Sequence, residues 1–315
     1  QADIALVREL LVHPDDAVVQ HALRAVWSWR LDEDDRMIDL IFAARLESQE
    51  AIHQVAMMLG GVRSQLVARM TPTQVALFLD AVEPLPTIDD HWTNEVIADL
   101  SRLHPRETAA FFRRRVERST ASPFKFRVAN HGPYVRAALQ FADGPDGEAV
   151  LRETWAWLTE NWDRGFDFQH GATQLFEAMF LGHEDRLVEF LDPLIRSAGR
   201  NQLGLVARLL REAHHSFVFR QTDFVLRFLE RCAEVDLELA KEAATALYSA
   251  ASTGSWSGLP GQPMPRDLDT LAKSEAVLAR LSRLSPAWEL YDWLRRMSVE
   301  NIERSRREGE MMDEE

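Results

Sequence analysis

Between Arg102 and Arg136 nine basic side chains, Arg102, Arg106, Arg113, Arg114, Arg115, Arg118, Lys125, Arg127 and Arg136, stand against two acidic ones, Glu107 and Glu117. The local charge is +7 in a chain whose total is −14, so the remainder carries −21. Phe111, Phe112, Phe124, Phe126, His131 and Tyr134 are interleaved with these cations. Guanidinium forks suit carboxylate and phosphate oxygens, and rings set among them offer faces to bases or apolar side chains. Arg113, Arg114, Arg115, Arg118, Lys125, Arg127 and Arg136 are therefore candidate contacts to an anionic partner. The competing reading makes the same arginines a solvated helix face, neutralised by carboxylates from neighbouring helices. A weaker basic stretch follows, with Arg196, Arg200, Arg208, Arg211, His214, His215 and Arg220.

Other chemistry is sparse. The chain has no Gly-Lys dipeptide for a phosphate loop, no His-Glu-x-x-His and no Gly-x-Gly-x-x-Gly. Gly254-Ser255-Trp256-Ser257-Gly258 places Trp where a nucleophile elbow needs Ser. His13 and His104 precede prolines and suit turn or capping roles, while His214 and His215, if helical, point about 100° apart and cannot share an ion. A single cysteine, Cys232, completes an apolar stripe and reads as a small buried hydrophobe. No metal, cofactor or catalytic residue is expected. Trp27, Trp29, Trp155, Trp157 and Trp162 fall at helical spacing and read as packing residues.

The elements that must carry these groups are helical. Val19, Ala22, Leu23, Val26 and Trp27 fit the helical i, i+3, i+4, i+7, i+8 template. The stripe returns in Leu187, Phe190, Leu191, Leu194 and Ile195, in Leu203, Val206, Ala207 and Leu210, and in Val225, Phe228, Leu229 and Cys232. Alternating β-branched runs are absent, which predicts roughly fifteen helices of about 10 to 20 residues and essentially no sheet. Helix starts are marked by His13-Pro14-Asp15-Asp16, Thr71-Pro72-Thr73-Gln74, His104-Pro105-Arg106-Glu107 and Ser285-Pro286-Ala287-Trp288, each putting Pro at an expected first-turn position. Asp32-Glu33-Asp34-Asp35 reads as an acidic helix start, and Asp143 to Gly147 as a turn.

Helix pairs joined by short turns make a unit of about 40 residues, and the two His-Pro boxes lie 91 residues apart. On stripe, turn and period, residues 3 to 251 resemble HEAT-like helical repeats. The resemblance implies an all-α, right-handed α-solenoid of antiparallel helix pairs, each burying its apolar face against the next. The expected organisation is an array over 1–251, a Gly/Pro-rich loop over 252–266 containing Trp256, and capping helices with an acidic tail over 267–315. The final helices are expected at about 267–284 and 286–308, with a frayed end from Glu308 to Glu315. Ser119 to Pro133 is expected to be the other long loop, and both loops, Trp256 included, are candidate binding elements.

No apolar run approaches the roughly 18 to 20 residues of a membrane-spanning helix, and no export signal is visible, so a cytoplasmic location is expected. The acidic total opposes general attraction to nucleic acid or anionic lipid. A start at Gln1 suggests a piece of a longer chain. The resulting expectation is a non-catalytic interaction or sensor module, binding a protein, a peptide or another anionic partner on a concave or basic surface, with no membrane contact. The segment Ala287-Trp288-Glu289-Leu290-Tyr291-Asp292-Trp293-Leu294 is similar to the closing helix in the C-terminal sensor portion of bacterial signal-transducing NTPases. The alternative is a HEAT-like DNA glycosylase or another nucleic-acid-binding protein, for which Trp155, Trp157 and Asp163 supply the residue types.

Overall fold

The computed structural model describes residues 2–29, 34–60, 64–122, 126–129, 139–180, 184–211, 213–253 and 261–313. Among them are sixteen α-helices and no strand. The first nine are α1 (Ala2–Leu11), α2 (Asp16–Ser28), α3 (Asp34–Ile41), α4 (Gln49–Gly60), α5 (Pro72–Val82), α6 (His91–Leu103), α7 (Pro105–Ala121), α8 (Gly147–Glu160) and α9 (Phe166–Phe180). They form one compact unit, residues 1–182. The second unit, residues 183–315, holds α10 (Glu184–Ile195), α11 (Arg200–Arg211), α12 (Phe217–Arg220), α13 (Thr222–Val235), α14 (Leu237–Ser252), α15 (Pro265–Leu278) and α16 (Trp288–Asp313). The division between the units falls at 182–183.

The apolar stripes become the core. Val19, Ala22, Leu23 and Val26 of α2 are buried, as are Leu203, Val206, Ala207 and Leu210 of α11 and Val225, Phe228, Leu229 and Cys232 of α13. In the first unit α4 packs on α2 and α6, and α7 packs on α5, α6, α8 and α9. In the second, α14 packs on α11, α13 and α16, and α15 lies along α16. Phe78, Phe111, Phe112, Phe141, Phe168 and Phe176 fill the first core, each worth about 1.5–3 kcal/mol on burial. Tyr291 is buried in the second and donates its hydroxyl to the Val218 carbonyl at 2.8 Å.

Helix starts follow the predicted chemistry with two corrections. Thr71 and Gln74 make a full capping box, Thr71 N–H to Gln74 Oε1 at 2.8 Å and Gln74 N–H to Thr71 Oγ1 at 3.3 Å, with Pro72 as the first helical residue. Pro105 opens α7 as expected. Pro14 and Pro286, however, lie ahead of their helices: the cap of α2 is Asp15, which accepts from the Ala17 N–H at 2.9 Å, and α16 begins at Trp288.

The acidic end is also corrected, because α16 continues through Asp313. It lies along α15, and Gly309 comes so close to Gly261 that a Cβ on either would meet the other's Cα. His214 and His215 occupy the turn between α11 and α12, with ring centroids 3.9 Å apart, so the helical argument for their divergence does not apply.

The turn before α8 depends on a close backbone approach. A Cβ on Gly144 would run into the Arg102 carbonyl at the end of α6. Gly144→Ala is expected to lower stability by about 1–3 kcal/mol in chemical denaturation; an unchanged midpoint would show that the two segments do not touch.

Candidate binding cleft

The arginine-rich segment sits on α7, and the helix divides its cations between inside and outside. Phe111, Phe112, Arg115, Val116 and Ser119 make up the buried stripe, so Arg115 points into the core with no exposed surface. All of its donors go to backbone carbonyls. Nη1 donates to Glu83 at 2.8 Å, Leu85 at 2.9 Å and Val82 at 3.3 Å; Nε donates to Val128 at 2.8 Å and Nη2 to Arg127. The Phe126 ring lies 4.4 Å from the guanidinium carbon. Burial pushes the Arg115 pKa down to about 9, which leaves it protonated at neutral pH. Arg115 therefore serves the interior and cannot be an exposed contact.

The neighbouring arginines are bound to carboxylates of their own chain. Arg114 donates to Glu83 Oε2 at 2.6 Å and to Asp80 at 2.8 Å, and Arg118 donates to Glu83 Oε1 at 2.5 Å. Arg106 meets Glu153 at 3.0 Å. Arg113 is half-buried, donates to the Thr154 hydroxyl at 3.3 Å and lies over the Trp157 ring. Arg127 is exposed, with its backbone N–H on the Pro86 carbonyl at 2.8 Å. Lys125, Arg136 and Trp256 lie outside the described residues. The weaker basic stretch is similarly engaged: Arg196 pairs with Asp192, Arg200 with Asp236 and Arg220 with Asp185. Trp155 is buried against Phe176, and Trp157 packs edge-on to Phe168.

A second candidate is a cleft of about 390 Å³ among α2, α4, the start of α6 and the segment 85–90. That volume lies in the usual range for small-ligand sites. Gln20 and Arg24 come from α2, and Gln49, Glu50, Ile52, His53 and Gln54 from α4. Leu85, Thr87, Ile88 and Asp90 complete the wall with Thr93. Asp90 is both a helix cap and a cleft residue: Oδ2 accepts from the Thr93 N–H at 2.7 Å and the Thr93 hydroxyl at 2.6 Å, while Oδ1 lies 2.6 Å from His53 Nδ1. The Asn94 amide bonds the carbonyls of Ile88 and Asp90, fixing the turn into α6.

Gln54 is 8% exposed, and its Nε2 has no hydrogen-bond partner. Leaving a buried amide donor unmet costs about 1–3 kcal/mol, a cost that an acceptor oxygen placed in the cleft would remove. Among the described residues, Gln20, Arg24, Gln49 and Glu50 make no side-chain hydrogen bond or ion pair either. No group of three or more His, Cys, Asp or Glu side chains that could hold a metal is found among the described residues. Burial pushes the Cys232 thiol up to about 12, leaving no thiolate for chemistry at neutral pH.

Sequence reading did not find this site. Its one local signal is Gln54, a polar residue inside the buried run Ala51, Ile52, Val55, Ala56, Met58 and Leu59 of α4. The His53–Asp90 pair spans 37 residues and leaves no short motif. Comparison with family models, curated proteins and solved structures finds no match to this chain.

Two outcomes follow from the arginine geometry. Arg115→Met takes the guanidinium donors from the Glu83, Leu85, Arg127 and Val128 carbonyls, while Val82 keeps the Leu85 N–H, and is expected to cost about 3–5 kcal/mol in urea denaturation; a loss below about 1 kcal/mol would mean the carbonyls do not depend on it. For Glu83, burial raises the carboxyl pKa, but the hydrogen bonds from Arg118 and Arg114 outweigh it and hold the group below its ordinary 4.5. The stability it contributes is fully present above that value and is lost as pH falls through the lower, folded pKa. Glu83→Gln should therefore shrink the acid-induced stability loss by about 1 kcal/mol, the exposed arginine ends limiting the effect. An unaltered acid limb in that variant would contradict the pairing.

Proposed function

We propose that the chain is a non-catalytic interaction or sensor module of stacked antiparallel helix pairs, a HEAT-like α-solenoid, and that recognition takes place in the cleft over Gln54. The stacking is supported by the sequence spacing of polar contacts. Asp39 meets Gln74 across 35 residues, Asp80 meets Arg114 across 34 and Glu83 meets Arg118 across 35. In the second unit Asp185 meets Arg220 across 35, Asp185 meets Gln221 across 36 and Asp192 meets Arg227 across 35. Equivalent helices of successive pairs touch at one fixed separation when pairs stack, and packing of α4 on α2 and α6, or of α7 on α5 and α9, has the same origin. The period is nearer 35 than the 40 suggested by the punctuation. Two contacts from α7, Arg106 to Glu153 and Glu117 to Arg164, span 47 residues because the long segment before α8 intervenes.

The observation that carries the site is the buried, unpartnered Gln54 amide lining an open cleft. The arginine segment is a weaker candidate, since an anion would have to displace Glu83, Asp80 or Glu153 from cations they already hold. The nucleic-acid reading carries the same cost, and Trp155 is not free to stack on a base.

A thermal-shift screen against a panel of small metabolites tests the proposal, using wild type and Gln20→Trp, in which a bulky ring on α2 fills the cleft. Compounds that raise the wild-type midpoint by about 2 °C or more should leave Gln20→Trp unmoved. Ligands stabilising both proteins equally would place recognition outside the cleft.

A further inference from the structure

Resting on that reading of the cleft, we infer that its ligand is a small zwitterion of the amino-acid type, a free amino acid or a dipeptide with an aliphatic side chain. The cleft is lined by one cation and one anion that do not pair with each other or with any described residue, Arg24 on α2 and Glu50 on α4. Two opposite charges left apart on the same lining match a ligand that carries both signs. Its carboxylate goes to Arg24, its ammonium to Glu50, and an oxygen of the carboxylate or of the peptide bond to the Gln54 amide. Gln20 and Gln49 can donate to and accept from the polar edges that remain. Ile52 and Ile88, both almost fully buried, and the half-buried Leu85 form the apolar part of the lining, where an aliphatic side chain gains from leaving water.

Other ligand classes fit less well. A phosphate ester would bring two negative charges to a lining with one free cation, beside Glu50 and Asp90. A divalent ion would find Glu50 alone, because Asp90 already takes three bonds from His53 and Thr93. An uncharged sugar would leave Arg24 and Glu50 unanswered. The volume of about 390 Å³ accommodates either a free amino acid or a dipeptide.

The test uses the full chain labelled with ¹⁵N and follows the Gln54 side-chain amide signals, assigned by their loss in Gln54→Leu. The probes are L-leucine, the dipeptide Leu-Leu, N-acetyl-L-leucine, which lacks the ammonium, and L-leucinamide, which lacks the carboxylate. L-Leucine or Leu-Leu should shift the Gln54 signals saturably below about 10 mM, and the tighter of the two identifies the source. The two blocked probes should bind at least about tenfold more weakly, as should the better zwitterion to Arg24→Gln and to Glu50→Gln, a change of about 1.4 kcal/mol. Both substitutions are at exposed positions, so their melting points should match wild type. Blocked probes that bind as well as L-leucine would overturn the zwitterion while leaving the cleft in place, as would four silent probes when a ligand sensitive to Gln20→Trp is in hand. Zwitterions that bind wild type and Gln20→Trp alike would overturn the cleft itself.

Discussion

A single guanidinium organises the interior of the first unit. Arg115 faces the core from α7, where an isolated charge would cost several kcal/mol, and two irregular segments turn the carbonyls of Glu83 and Leu85 and of Arg127 and Val128 toward the same place. Each problem answers the other: every guanidinium nitrogen donates to a backbone carbonyl, and the Phe126 ring covers the fork. The consequence reaches the cleft. With residues 82–85 tied to Arg115, the chain runs on through Leu85, Thr87 and Ile88, which form the wall, to Asp90, which caps α6 and takes His53.

Outside the core, charge is paired between helices. Glu83 is held by two arginines of α7 while its backbone carbonyl accepts from a third, so one residue joins the surface ion pairs to the buried fork. Exposed bridges of this kind are worth at most about 1 kcal/mol each, and more where they share a half-buried carboxylate. Their larger effect is to fix which helix faces which. Part of the local +7 read along the chain is thus answered by carboxylates of other helices, at Arg106, Arg114 and Arg118, and Gln54 is the buried side chain without a partner that lines the cleft.

The fold class was legible because it depends on local periodicity. The stripes of α2, α11 and α13 and the Thr71 box specify helices from nearest neighbours alone. The fate of the arginines was half legible: Arg115 stands three and four residues after Phe112 and Phe111, on the stripe completed by Val116 and Ser119, whereas Arg114 and Arg118 fall beside it. Counting charge by sequence segment merged the two faces. The carboxylates that bind Arg114 and Arg118 lie 31 to 35 residues earlier, and nothing in a local window reports them. The cleft was less legible still, because the turn that builds it is held from α7 and its polar pair comes from two helices 37 residues apart. Helix α16 outran its predicted end because glycine contact with Gly261 holds the acidic segment that composition alone would leave loose.

The account therefore rests on the link from Arg115 through residues 82–90 to the start of α6, and amide hydrogen exchange reads that link directly. Arg127, whose N–H meets Pro86, Val128, whose N–H meets Gln174, and Thr93, whose N–H meets Asp90, should be protected in wild type. All three should lose protection together in Arg115→Met, while the amides of α13 and α14 keep theirs. Protection at Thr93 that survives the loss at Arg127 and Val128 would show that the cleft stands without the buried arginine, and would contradict the account.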